Sequence, residues 1–253
     1  MRNRTIAFVS LLLFLCPIYG INVTKKIITE NFTNIKVAGQ YKVIIEQKEG
    51  PPSITVKGSK AKIDLLQIKC SDKQLSIRSK NKKRSVNSKK HSIIINITMD
   101  NIKKLNIMGN TSIYFPTKFI TTDILHLIVT GNADLHMTNI ESPHLKSDIK
   151  GNADIEIKHI NVGKLEGNIS GNSHVTINQG VINSASLQIK ENGSLDARWV
   201  ETSKLDAKLY GLGDIYCNVL EKLSGMIYGN GHIYSYGAPL LESKDTKYFT
   251  SLN

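Results

Sequence analysis

The residues best suited to chemistry recur at a fixed spacing. Asp134, Asp154 and His174 stand 20 residues apart, with Ser112 before them and Ser194, Asp214 and His232 after. If each step is one turn of a coiled chain, the Asp134 and Asp154 carboxylates lie roughly 5 Å apart on neighbouring turns. That separation suits the carboxylate pair of a retaining glycoside hydrolase. Two Asp and one His could instead ligate a small metal ion. A plainer account is also available: Asp and Ser at tight turns accept hydrogen bonds from nearby backbone. No nucleophile elbow, phosphate loop, zinc-protease helix or dinucleotide fingerprint accompanies these residues.

These side chains are carried by a seven-residue phrase written seven times. It begins at Gly109, Gly131, Gly151, Gly171, Glu191, Gly211 and Gly229, so successive copies start 22, 20, 20, 20, 20 and 18 residues apart. The fifth position is always aliphatic: Ile113, Leu135, Ile155, Val175, Leu195, Ile215 and Ile233. So is the residue two before each phrase: Ile107, Val129, Ile149, Ile169, Ile189, Leu209 and Ile227. The third position is always small, and most copies begin Gly-Asn. Apolar residues at two-residue intervals on both sides of a Gly-Asn pair are strand periodicity, and the pair would interrupt any helix.

A period near 20 marks a solenoid; a propeller blade needs ~40–50 residues. The expected unit is two short strands meeting at a corner, where glycine, and next asparagine, tolerate φ > 0. One such unit cannot bury its apolar face alone, whereas stacked units can. The fold expected is therefore an all-β parallel β-solenoid with ~20-residue coils. The Asn column (Asn110, Asn132, Asn152, Asn172, Asn192, Asn230, broken by Leu212) has two readings. It is a coil-to-coil ladder of side-chain amides, as in cross-β stacks, or a row of sugar-binding amides.

Along the chain, residues 1–20 read as a secretory signal: Arg2 and Arg4, an apolar Ile6–Leu15 stretch, and a Tyr19-Gly20 exit. The stretch is too short to span a bilayer. Residues 21–104 read as an irregular β section of the same sheet system, capping the solenoid. One helical turn is a second reading for Ala61–Leu66. Within this section, residues 80–91 form a basic break containing Lys82, Lys83 and Arg84. That break is a solvated loop or an anion-binding patch. The regular coils span 105–237, and a polar tail without clear elements spans 238–253. After signal removal only Cys70 and Cys217 remain. They could pair, but Cys217 falls in an inward column and reads as a buried thiol acting as a small hydrophobe. Trp199 falls outside the inward columns, either packed at a corner or exposed. The other outward histidines, His136 and His159, read as solvated.

Lys and Arg number 33 against 21 Asp and Glu, a formal net charge of +12. That balance favours acidic surfaces or glycans as partners. Aromatics are few and not interleaved with the basic residues in sequence, so a platform for single-stranded nucleic acid is not expected.

The Gly-Asn-Ala-Asp units, with Val43–Gln47, Ile54–Val56, Leu75–Ile77 and Ile93–Thr98 leading to Leu105–Gly109, resemble the putative auto-transporter adhesin, head GIN domain family. The resemblance covers roughly residues 32–237. It implies a right-handed β-solenoid in the cell envelope or outside the cell, and it carries over no catalytic residues. The 16 residues after 237 are far fewer than the many ~10-residue strands of a translocator barrel need, so the resemblance is to a passenger. Together these features describe an exported, non-enzymatic, adhesin-like binding surface in the periplasm, on the outer surface or outside the cell. Its candidate contact residues are Asp134, Asp154, His174, Asp214, His232, Lys82, Lys83 and Arg84. Expected partners are glycans or other anionic envelope components, with no nucleic acid, no transmembrane segment and no cofactor or metal. Exposed end strands make a homo-oligomer plausible. The alternatives are a glycan-active enzyme using Asp134 and Asp154, and a periplasmic structural protein.

Overall fold

Every second side chain turns inward, and each inward column continues from one turn of chain to the next. A computed structural model describes residues 22–27, 29–80, 93–243 and 249–251. Residues 1–20, read above as a secretory signal, and the basic residues Lys82, Lys83 and Arg84 lie outside the described residues. The chain is an all-β solenoid of about 7 turns.

Its strands are β1 (Asn22–Ile27), β2 (Asn34–Gly39), β3 (Lys42–Gln47), β4 (Ser53–Ser59), β5 (Leu66–Ser71), β6 (Gln74–Ser79), β7 (Ile93–Met99), β8 (Lys104–Gly109), β9 (Ser112–Ile120) and β10 (Ile124–Gly131). They continue as β11 (Asp134–Gly151), β12 (Asp154–Gly171), β13 (His174–Ile177), β14 (Gly180–Glu191), β15 (Ser194–Gly211), β16 (Ile215–Ile227), β17 (Ile233–Ser235), β18 (Leu240–Ser243) and β19 (Phe249–Ser251). A four-residue helix, α1 (Lys60–Ile63), falls where one helical turn was an alternative.

From β8 onward the pairing is parallel. The fifth-position column runs in register from Val43 through Ile113, Leu135, Ile155, Val175, Leu195, Ile215 and Ile233 to Phe249. A second column runs from Ile77 through Val37, Ile107, Val129, Ile149, Ile169, Ile189 and Leu209 to Ile227. From Val43 to Ile233 and from Ile77 to Ile227 these side chains are almost entirely buried. Each such buried aliphatic side chain contributes ~1.5–3 kcal/mol.

The coil has more corners than the two-strand unit expected from the repeat. β11, β12 and β15 each run 18 residues without a loop. Inside them the alternation slips twice. Met137 and Ile140 are both buried across two outward residues, as are Ser142 and Leu145. β12 slips at the equivalent places, between Ile157 and Ile160 and between Val162 and Leu165. Two outward residues in a row bend the strand around the core without breaking its hydrogen-bond ladder. Two further inward columns result, Phe119–Ile140–Ile160 and Ser142–Val162–Ile182–Thr202–Val219.

The glycine corner is a tight point. Gly109, Gly131, Gly151, Gly171 and Gly211 have φ between +82° and +142°. A Cβ on Gly151 would lie 2.6 Å from the Gly131 carbonyl oxygen of the preceding turn. Glu191 takes the same place with φ +61°, a left-handed conformation unusual for a residue with a side chain. Just past the corner, Asn152 Nδ2 donates to Asn132 Oδ1 at 3.0 Å. Asn172 donates to Asn152 at 3.1 Å and Asn192 to Asn172 at 2.8 Å. The Asn column is the ladder.

The N-terminal strands mix directions. β2 and β3 join the parallel stack through β8 and β9. β4 runs antiparallel to β1 and β7, and β5 antiparallel to β6. The tail corrects an expectation. Residues beyond 237 were expected to lack elements, yet β18 pairs with β16 and β19 with β17, both parallel. Their short apolar stretches are too brief to show a period, and the preceding turns supply the template.

Two glycines separate the effects that hold this fold. Gly151→Ala places a side chain at φ +115° against backbone and is expected to cost ~2–3 kcal/mol, or roughly 5–10 °C of Tm. Gly167 has no such backbone requirement. Its Cβ would lie 2.8 Å from Leu187 Cδ2, the mobile end of a side chain, beside an apolar cavity of about 30 Å³. Gly167→Ala is expected to be neutral or to stabilise by ~0.5–1 kcal/mol. Thermal melts of the two variants check the contrast.

Candidate functional site

The outward face beside the glycine corner holds the residues singled out from sequence. Strand register places Ser112 beside Asp134, Asp134 beside Asp154, Asp154 beside His174 and His174 beside Ser194. Asp134 Oδ2 accepts from the Ser112 hydroxyl at 2.9 Å. His174 Nδ1 is 2.6 Å from Ser194 Oγ. Farther along, the His232 backbone N–H donates to Asp214 Oδ1 at 2.9 Å, and the His232 ring lies 3.8 Å from the same oxygen. Asp134, Asp154 and His174 are thus consecutive, while Asp214 and His232 form a separate pair beyond Ser194.

This row points one way from a flat strand face. Among the described residues, no three His, Cys, Asp or Glu side chains gather in a group that could hold a metal ion. The apolar cavity lies inside the coil, lined by residues such as Leu127, Leu145, Ile155, Leu165 and Leu187, away from the carboxylates.

The sixth position of the phrase was missed as a site, and it is the richer column. Its outward residues run Tyr114, His136, Glu156, Thr176, Asp196, Tyr216 and Tyr234 in register. His136 was expected to be solvated, but it stacks on Tyr114 with ring centres 4.9 Å apart and lies 3.2 Å from Glu156. Tyr216 stacks on Tyr234 at 4.7 Å, and across the corner Tyr210 stacks on Tyr228 at 4.8 Å. Basic residues do alternate with these rings in space: Lys42 over Tyr114, Lys190 over Tyr210 and Arg198 over Tyr216. The expectation of no interleaving fails because neighbours in a solenoid are about 20 residues apart in sequence. Reading the sixth position as a column would have found them. Trp199 is 69 % exposed and its ring centre is 6.4 Å from that of Tyr236.

Charge pairing also runs from turn to turn. Glu166 lies between Lys164 and Lys146, whose hydrogen bonds hold its carboxyl at about 2. Burial pushes Asp148 and Asp196 upward. Hydrogen bonds from Asn168 and His126 to Asp148, and from Arg198 to Asp196, outweigh that and leave both below the ordinary value. Among the described residues, Cys70 and Cys217 are both free. Burial pushes the Cys217 thiol up to about 12, in keeping with a core side chain.

The sequence matches the family described as "Putative auto-transporter adhesin, head GIN domain" over residues 31–239. No curated protein matches the chain. Among solved structures, a putative adhesin from Parabacteroides distasonis superposes with TM-score 0.80 at 19 % identity, covering 93 % of this chain and 96 % of that one. A putative adhesin from Parabacteroides merdae gives TM-score 0.76 at 21 % identity, covering 92 % and 94 %. A putative lipid binding protein from Parabacteroides distasonis gives 0.72 at 17 % identity, covering 93 % and 98 %. At these identities the likeness is one of fold.

Two measurements test the electrostatics. A carboxyl with folded pKa below its unfolded value stabilises the fold above the unfolded pKa and loses that contribution as pH falls. For Glu166 the window runs from 4.5 down to about 2. Glu166→Gln is expected to lower Tm at neutral pH, with the difference from wild type closing as pH approaches 2. Thiol labelling should reach half-buried Cys70 in the native protein and Cys217 only after unfolding.

Proposed function

The chain belongs to the putative auto-transporter adhesin, head GIN domain family, and from that premise we propose that it is an exported, non-enzymatic binding protein. Its flat solenoid face meets extended glycans or other anionic components of a cell envelope. One observation carries this reading: outward side chains repeat in register over successive turns, from Asp134 through Asp154 and His174 to Ser194. A partner that repeats along its own length, as a glycan chain does, finds equivalent contacts at each turn. Asp134, Asp154, His174, Asp214 and His232 are the contacts proposed on that face, with Lys82, Lys83 and Arg84 of the basic 80–91 segment adding positive charge. The net charge of +12 favours anionic partners.

The carboxylate pair fits catalysis less well. A retaining pair flanks its scissile bond from two sides, whereas Asp134 and Asp154 stand side by side on one strand face. The leading segment, residues 1–20, supports export, and no described helix is long and apolar enough to cross a membrane.

A glycan array read at low and at high salt tests the binding function. Binding at low salt is expected, weakening with salt for acidic glycans. No binding to any glycan at low salt overturns the proposal. Incubated polysaccharides should keep their chain length; shortening that disappears in Asp134→Asn with Asp154→Asn would instead establish the hydrolase. Fractionation of a tagged copy should place it in the envelope or the medium.

A further inference from the structure

We propose that the last turns carry a binding site for the pyranose ring of a neutral glycan, built around Trp199. This rests on the glycan-binding function above and gives it a place and a sugar class. The site begins with a break in register. Ala197 pairs with Cys217, yet Glu201 pairs with Asn218, so Arg198, Trp199 and Val200 have no counterparts on the next turn. These residues form the same corner as Lys158, His159 and Ile160, with Val200 fully buried in register with Gly180, and the next turn lacks that corner. Trp199 therefore has no paired residue on the next turn and is the most exposed large apolar side chain among the described residues, at 69 %.

What surrounds the indole is ordered. Arg198 lies 4.7 Å from the ring centre of Tyr216 and 5.7 Å from that of Tyr236. Its Nε and Nη2 donate to the two carboxylate oxygens of Asp196 at 2.8 and 2.7 Å. Tyr216 and Tyr234 stack nearly parallel, 10° apart. The rings and the guanidinium hold one another in place, so a ligand freezes little side-chain motion on arrival.

The chemistry on offer is that of a sugar ring. An aromatic face carries partial negative charge, which suits the apolar C–H face of a pyranose. The polar edge of a pyranose needs donors and acceptors together, and the Arg198–Asp196 pair supplies both in fixed geometry. The charge balance selects against acidic ligands. The charge of Arg198 is already matched by Asp196, and the neighbouring column adds the carboxylate of Asp214 on the turn that carries Tyr216. A phosphate or uronate would meet unfavourable charge here, on a chain that is otherwise basic.

Trp199 is the single tryptophan of the chain, so its emission reports on this site alone. The full-length protein is titrated with neutral hexasaccharides of glucose, mannose and galactose, and with a hexauronate. The expected result is a saturable blue shift with at least one neutral sugar, unchanged by salt. Calorimetry with that sugar should show Trp199→Ala and Arg198→Ala weakened by about tenfold or more, and Trp199→Phe largely retained. Tm should be unchanged in the Trp199 variants, since the side chain is exposed. Absence of any shift, or a preference for the hexauronate, overturns the proposal. So does neutral-glycan binding on the array that survives Trp199→Ala, which would leave the glycan-binding function standing but place it elsewhere. A shift given only by protease-sensitive cell-surface material would assign the platform to a protein partner instead.

Discussion

The structure depends on how closely one turn of backbone lies on the next at the glycine corner. Parallel strands stack ~4.8 Å apart, and that spacing must hold through the corner as well as along the strands. At Gly151 and Gly171 it brings the next turn so near that a single added carbon would strike a carbonyl oxygen or amide of the turn before. The absence of a side chain there is a condition of stacking. Positive φ is the second condition, and glycine meets both. The Asn amides just outside the corner then bond from turn to turn, so the point with no side chain to pack is tied by polar contacts instead.

Register follows from this. A one-residue slip would turn every inward aliphatic outward, and it would also bring a Cβ into the glycine stack. Two independent penalties therefore hold the same alignment, which is why β11 and β12 pair over nearly a whole turn. Exceptions occur where one penalty is relaxed. Glu191 keeps the left-handed corner without being glycine, with Gly193 two residues on supplying the small inward side. Ser147 and Gly167 leave an inward column thin, and the flanking leucines only partly fill the gap.

Much of this could be read from residue types. The columns at Leu135 and Ile149 and the corner at Gly151 are period-2 and glycine signals of ordinary strength made strong by repetition. What escaped was whatever lacked a repeated letter. The extra corners after Met137 and Ser142 are marked only by two outward-facing residues in a row, a pattern that any loop shares. β18 and β19 were missed because their pairing is imposed by the turns before them. The Tyr216–Tyr234 stack and the Arg198 contact were missed for a different reason. Sequence distance hides neighbours in a solenoid, where a residue's closest companion on its own face is a full turn away.

That same geometry argues for where recognition resides. The interior is committed to packing: its columns are mostly aliphatic, and the cavity beside Gly167 holds about 30 Å³, room for little more than a water molecule. Substitution on the outer face, by contrast, leaves the ladder and the core untouched, so successive turns can differ there while folding alike. They do differ. The sixth-position column changes from a His–Glu pair at His136 and Glu156 to an Asp–Tyr–Tyr run at Asp196, Tyr216 and Tyr234. A scaffold that repeats inside and varies outside places its chemistry by choice of turn. The corner with buried Val200 and outward Trp199, which has no counterpart on the next turn, is one such choice.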